Sequence, residues 1–291
     1  MLPRLLAQIR KMGNTTSTLP TANLIAFSGG VDSSVVAALV HKAFPNTSTA
    51  VLGVSNAVHA EQIELARNIA RTIGIPLTEV ETKEGDIPEY VANAGDACFY
   101  CKTELYENLQ ALGRQAATQV LQDTATTTPV VLFNGTNSDD AQDPTRVGLV
   151  AASNFDVASP LADLTKDQVR EMAVLLQLPN HAHAASPCLR SRLAIGVQAT
   201  KDHLLAVEAA ERAVRKTMSL DVQSNLRVRI LAGGKSALEI DANLVDEAQR
   251  HVDEFKGVLK EHGFDNLEVR PFHSGSVNGI GGVTAAKGTL G

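Results

Sequence analysis

Strands alternating with helices, a glycine pair between one strand and its helix, and a change of pattern near residue 200 together predict an α/β protein. A parallel sheet flanked by helices is expected first, then a small α+β domain. An amphipathic helix is expected at Leu2–Met12, and the apolar run Asn23–Phe27 reads as the first strand, with the buried helix 35–40 behind it. Residues 50–54 form the second strand, 59–73 a helix ending at Gly74, and Leu77–Glu81 the third strand after Pro76. Helix 102–121, a low-complexity loop at 124–128 and strand 130–133 follow. Thr165-Lys166-Asp167-Gln168 is a capping box opening a helix to Leu176, which Pro179 stops. From Thr200 the pattern is helix to Met218, strands 225–231 and 237–240, helix 242–261, strand 267–270 and a glycine-rich end from Ser274. The expected division is 1–180 for the sheet domain, 181–197 for a linker carrying part of the active site, and 198–291 for the small domain.

At 291 residues and 44% hydrophobic content the chain can bury a large core. The net charge of −6 is uneven, with 12 basic and 19 acidic residues through Ala185 against 14 and 13 from Ser186 onward. That balance speaks against a nucleic-acid partner and permits an anion site in the C-terminal part. No apolar run approaches a membrane span, so no membrane partner is expected. Three cysteines do not make a secreted disulfide framework, and a reducing cytoplasm fits better. The first 31 residues hold Arg4, Arg10 and Lys11 and no acid, as transit peptides do, though a short helix packed on the domain is preferred. A homo-oligomer is the expected assembly.

Between the first strand and its helix lies Ser28-Gly29-Gly30-Val31-Asp32-Ser33-Ser34. Two glycines let the backbone bend and approach a ligand closely. The helix beginning near Asp32 or Ser33 offers unpaired N–H groups and the positive end of its dipole, which suits a pyrophosphate. SGGVDSS matches the pyrophosphate-loop signature of ATP pyrophosphatases, and neither G-x-x-x-x-G-K-S/T nor G-x-G-x-x-G occurs. By the crevice rule for open α/β sheets, ligands sit beyond the carboxyl ends of the strands. Ser55, after the second strand, could there meet an adenine ring or simply form a polar turn. Asn134-Gly135-Thr136-Asn137-Ser138-Asp139-Asp140 follows the fourth strand, where Asp139 or Asp140 could assist Mg²⁺ bound to ATP, or form an Asx-rich turn.

Cys98 and Cys101 form a CxxC followed by Lys102, and Cys188 lies in Ser-Pro-Cys-Leu-Arg-Ser-Arg before Arg190 and Arg192. A CxxC can be a redox pair, half of a zinc site or two buried thiols. The polar, cation-flanked context favours thiolate. Three thiolates are one short of a structural zinc site, and on a cluster they leave one iron open.

SGGVDSS, DACFYCK, GTNSDDAQDPTRVGL, SPCLRSRL, the LRVRI strand and RPFHSGSVNG, in this order over most of 23–279, resemble the LarE family. These are ATP-dependent sulfur transferases of nickel-pincer cofactor synthesis, in which a pyrophosphatase domain precedes a small C-terminal domain. The resemblance implies adenylation of a carboxylate of pyridinium-3,5-biscarboxylate mononucleotide, then its conversion to a thiocarboxylate. It implies that Cys188 takes the sulfur-bearing position and that Arg227, Arg229, Glu211 and Glu239 lie near the family's anion and metal site, the two glutamates being blurred by an extra residue near Gly233-Gly234. Arg192 joins Arg227 and Arg229 as a partner for the substrate's anionic groups, and alternation puts the latter two on one strand face. Arg146 falls where the family's loop departs from this sequence. With Cys98, Cys101 and Cys188 all at family positions, the resemblance implies a 4Fe-4S cluster with replaceable sulfide; the other route consumes the sulfur of Cys188 itself. A tRNA thiolase and a non-catalytic ATP-binding module are the rival expectations.

Overall fold

The structure is a computed structural model of the 291-residue chain. It describes residues 1–120, 130–142, 146–221, 223–261, 264 and 267–273. The loop at 124–128, residues 143–145 and the glycine-rich end from Ser274 lie outside them. The chain divides into two units, Met1–Ala92 with Asp96–Leu189, and Asn93–Gly95 with Arg190–Gly291.

The first unit contains α1 (Leu2–Met12), β1 (Asn23–Phe27), α2 (Val31–Ala43), β2 (Ser48–Val54), α3 (Ala60–Ile73), β3 (Leu77–Glu81), α4 (Pro88–Ala92), α5 (Ala97–Val120), β4 (Val131–Phe133), α6 (Ser138–Gln142), α7 (Gly148–Asn154) and α8 (Lys166–Leu175). Its four strands are parallel in the order β3-β2-β1-β4. Alternation along β1 serves two cores. Ile25 and Phe27 pack with Val35, Val36 and Leu39 of α2, Leu5 and Ile9 of α1, and Val169 and Met172 of α8. Leu24 packs with Val51, Leu132, Leu105 and Leu109 on the other face. Burial on both faces is why β1 reads as a continuous apolar run. Its first residue, Asn23, is buried but satisfied, exchanging hydrogen bonds with the Asn14 backbone at 2.8 and 3.1 Å. The parallel arrangement sends the carboxyl ends of β1, β2 and β4 to one edge, so Ser28, Ser55 and Asn134 emerge there together.

The strands expected from 50 and 237 begin earlier, at Ser48 and Lys235, and two further differences from expectation are larger. Helix α5 begins at Ala97, ahead of Lys102: the Phe99 N–H already donates to Asp96 O at 2.8 Å, so Cys98 and Cys101 sit in its opening turns, not in a loop. The expected helix 242–261 is a 3-10 turn at Ala242–Leu244, then α10 (Val245–Arg250) and α11 (Val252–Glu261), separated at His251, whose φ of −94° and ψ of 5° end the first helix.

The second unit holds, before those two helices, α9 (Lys201–Thr217), β5 (Leu226–Leu231) and β6 (Lys235–Ile240), and after them β7 (Leu267–Pro271). Strands β5 and β6 are antiparallel, β6 and β7 parallel. Asn93 belongs here because its amide donates to Ala194 O and Val197 O, each at 3.0 Å, and accepts from Arg190 at 3.1 Å.

Candidate active site

The turn after β1 is a pre-formed cradle. Gly29 has a φ of +70°, and a Cβ there would lie 2.8 Å from Ala66 Cα of α3, so only glycine fits. Gly30 caps α2. The Ser33 and Ser34 hydroxyls both donate back to Gly30 O, at 3.0 and 2.8 Å, and the Ser28 N–H donates to Ser33 Oγ at 3.2 Å. From outside the loop, Asn180 donates to Gly29 O at 2.8 Å and to Ser34 Oγ at 3.0 Å, while Gln62 donates to Ser28 O at 2.6 Å. The turn's carbonyls are thereby occupied, and the start of α2 keeps its N–H groups for an anion.

The segment after β4 closes on this turn. A Cβ on Gly135 would come within 2.8 Å of both Asp32 C and Ser33 N, so glycine permits the approach. Asn137 donates to Asp32 Oδ1 at 3.2 Å, and the Lys166 ammonium pairs with Asp32 Oδ2. Asp139 accepts from the Lys166 backbone N–H at 3.0 Å, and Asp140 pairs with Arg146 at 2.7 Å. Asp32 and Asp139 therefore lie on one connected rim, with carboxylate oxygens of the kind Mg²⁺ takes. Asn137, Lys166 and Asn180 were not singled out from sequence. Lys166 reads there only as part of the capping box, which Thr165 and Gln168 do form.

Ser55 emerges after β2 and donates to Glu84 Oε1 at 2.5 Å. Glu84 is 2% exposed, and its Oε2 has no hydrogen-bond partner among the described residues. The Ala57 N–H donates to Ser55 Oγ at 3.2 Å, and Ala57 O accepts the Leu189 N–H at 2.8 Å, fixing the residue after Cys188 beside this turn. Arg170 of α8 holds the approach to Cys188, donating to His181 O at 2.7 Å and His183 O at 3.2 Å.

No disulfide joins the three cysteines. Each sulfur acts electrostatically on Lys102, and Cys98 and Cys188 act on Cys101, so the fold gathers all three into one neighbourhood. Burial pushes the Cys101 thiol up to about 12, which the Lys102 charge opposes and the Glu84, Cys188 and Cys98 charges reinforce. This corrects the expectation that the polar context makes Cys101 a thiolate: its place on a packed helix, not the identity of its neighbours, decides. Burial also penalises the Lys102 ammonium, but Tyr106 and the three sulfurs outweigh that and raise it above its ordinary value. Gly148 at the start of α7 passes closely enough that a Cβ would meet Lys102 Cγ at 3.2 Å. Cys98, Cys101 and Cys188, beside the Lys102 ammonium, are the residues of this unit that could hold a thiophilic metal.

In the second unit, Arg192 donates both Nε and Nη2 to Glu211, at 2.9 and 3.1 Å, and Glu211 also accepts the Val228 N–H. Arg229 donates to Glu239 at 2.9 Å and to Ser191 O at 2.8 Å, and Arg270 donates to Glu239 at 2.7 Å. Arg227 donates to Leu226 O at 2.6 Å and lies over the Phe272 ring at 5.4 Å. Burial pushes Arg227 down to about 10, with repulsion from Arg192 adding to it. Arg192, Arg227, Arg229, Glu211 and Glu239 are all nearly or fully buried. Arg192 thus pairs with Glu211, and Arg229 and Arg270 share Glu239, so both carboxylates are committed to arginine.

A pyrophosphate turn at the carboxyl edge of a parallel sheet, with a carboxylate rim beside it, defines an α/β domain of the pyrophosphate-loop class, which uses ATP with Mg²⁺. Residues 7–198 match the NAD synthase family, and the chain belongs to it. Over 195 residues it is 36% identical to an uncharacterized protein of Synechocystis, covering 66% of this chain and 68% of that one. Over 200 residues it is 28% identical to the pyridinium-3,5-bisthiocarboxylic acid mononucleotide synthase of Lactiplantibacillus plantarum, covering 66% of each. It is also 29% identical over 168 residues to a glutamine-hydrolysing GMP synthase of Aromatoleum aromaticum, covering 54% of this chain and 32% of that one. The chain thus spans about two thirds of the first two relatives and about a third of the last. No helix among the described residues is long and apolar enough to cross a membrane.

Proposed function

We propose that this protein is an ATP-dependent sulfur transferase that adenylates a carboxylate of pyridinium-3,5-biscarboxylate mononucleotide and exchanges the activated oxygen for sulfur. The observation that carries the reading is the gathering of Cys98, Cys101 and Cys188 around Lys102 in the same unit as the pyrophosphate turn. The 28% identity to the synthase of the bisthiocarboxylic acid supports the substrate class.

The substrate carboxylate attacks the α-phosphorus of ATP, the bond to the bridging oxygen breaks and pyrophosphate leaves. The N–H groups at the start of α2 receive the growing negative charge, and Asp32 and Asp139 would hold a Mg²⁺ that helps to neutralise it. Sulfur then attacks the acyl carbon and AMP departs. Cys98, Cys101 and Cys188 would hold a 4Fe-4S cluster, which supplies replaceable sulfide when bound. Lys102 offsets the negative charge of the thiolates. Arg227, whose guanidinium lies over Phe272, is the candidate for the substrate's anionic groups in the second unit. On this reading the protein works in the cytoplasm as a homo-oligomer, on a small-molecule nucleotide, without a nucleic-acid or membrane partner.

The test is anaerobic purification with iron and sulfide analysis, followed by intact mass after turnover with Mg·ATP and the pyridinium substrate or bulk tRNA. The reading expects iron, acid-labile sulfide, AMP only with the pyridinium compound, and an unchanged protein mass. A colourless active protein whose Cys188 peptide loses the mass of H₂S would replace the cluster by the sacrificial route. AMP formed only with tRNA would overturn the substrate.

A further inference from the structure

We propose that Lys166 is an internal counter-ion that holds Asp32 when no nucleotide is bound and yields it to Mg²⁺ as Mg·ATP enters, its ammonium then taking a phosphate oxygen. The inference rests on Mg·ATP binding at the turn, not on the sulfur-transfer reading. Both oxygens of Asp32 are engaged, Oδ1 by the Asn137 amide at 3.2 Å and Oδ2 by the Lys166 ammonium. Asp32 lies in the first turn of α2, where a bound pyrophosphate and its metal have to be met. An aspartate held there by lysine is closed to a metal until the lysine moves.

The lysine can move at little cost. The two side chains are 35% and 25% exposed, and such a half-exposed pair adds little to stability. The Lys166 backbone is anchored by its N–H to Asp139 Oδ2 at 3.0 Å and by its place at the first position of α8, leaving only the flexible stem to swing. Asp139 accepts from that N–H, and Asp140 is paired with Arg146 at 2.7 Å, so the ammonium is the cation that Asp32 itself holds. An arriving phosphate replaces the carboxylate as its partner while Mg²⁺ replaces the ammonium, and the charge at the rim stays balanced through the exchange.

The experiment is Mn²⁺ titration of the full chain by electron paramagnetic resonance, alone and with α,β-methylene-ATP. Lys166→Met, which keeps the Thr165–Gln168 capping box, should bind free Mn²⁺ roughly five-fold tighter, the scale an exposed ion pair allows. The same variant should bind the Mn²⁺ nucleotide about ten-fold more weakly, through loss of a charge-assisted hydrogen bond. Lys166→Arg should restore the wild-type Mn²⁺ affinity, and Asp32→Asn should abolish the gain seen in Lys166→Met. Unchanged or weaker Mn²⁺ binding by Lys166→Met, with the nucleotide still bound by the wild type, overturns this inference alone. A wild type that binds no Mn²⁺ nucleotide overturns the reading of the turn and this inference with it.

Discussion

Cys101 is the residue whose chemistry changes most between sequence and fold. Burial raises its thiol from 9.0 in an unfolded chain to about 12, so folding favours the protonated form. Between those values the unfolded state binds fewer protons, and this group's contribution to stability is lost as pH rises from 9 towards 12. Metal-free protein should therefore leave Cys101 unalkylated by iodoacetamide at pH 8, with peptide mass spectrometry showing its labelling rise only in strong base. Labelling at the unfolded rate at pH 8 would contradict it. If these thiols take a cluster, as proposed above, its loading would expel that proton, release acid and improve with pH. Arg227 gives a second test at this scale: if its guanidinium meets the substrate, Arg227→Ala should raise KM for the pyridinium compound about ten-fold or more, as the loss of a charged hydrogen bond requires. The KM for ATP should stay near wild type, and equal losses for both would mean a folding role.

Among the elements, the segment after β4 depends on a missing side chain. Gly135→Ala would drive a Cβ to 2.8 Å from the backbone of Asp32 and Ser33, neither of which can rotate away. The expected cost is about 1–3 kcal/mol, with ATP binding weakened beyond what the fall in melting temperature implies. Thr165→Ala removes the acceptor for the Gln168 N–H and should cost about 1 kcal/mol by urea unfolding. Elements with local signals were legible: α1, β1 and β3 occupy the residues their apolar patterns mark, and the capping box opens α8 where its four residues stand. The start of α5 was not, because Cys-Phe-Tyr-Cys carries no strong helical preference and its turn is set by packing. Nor was the Lys166–Asp32 pair, since its partners are 134 residues apart and only the fold brings them together.

At the scale of the whole molecule, each unit has its own stabilising logic. The first rests on two apolar cores, one on each side of the sheet. The second buries a lattice in which Glu239 serves both Arg229 and Arg270. Glu239→Ala would strand those cations and should cost about 3–5 kcal/mol, whereas an exposed acid such as Asp253 should cost well under 1 kcal/mol. Guanidinium unfolding of the two variants would separate them, and similar midpoints would refute the lattice's structural role. The account's central claim is that ATP cleavage at the turn drives sulfur onto a carboxylate from the cysteine corner. It is tested most directly by counting AMP and thiocarboxylate together, by chromatography and mass spectrometry, in wild type, Asp32→Asn and Cys188→Ser. The account predicts AMP and thiocarboxylate in equal amounts from the wild type, neither from Asp32→Asn, and AMP without thiocarboxylate from Cys188→Ser. Thiocarboxylate made by Cys188→Ser, or AMP made at the wild-type rate by Asp32→Asn, would contradict it.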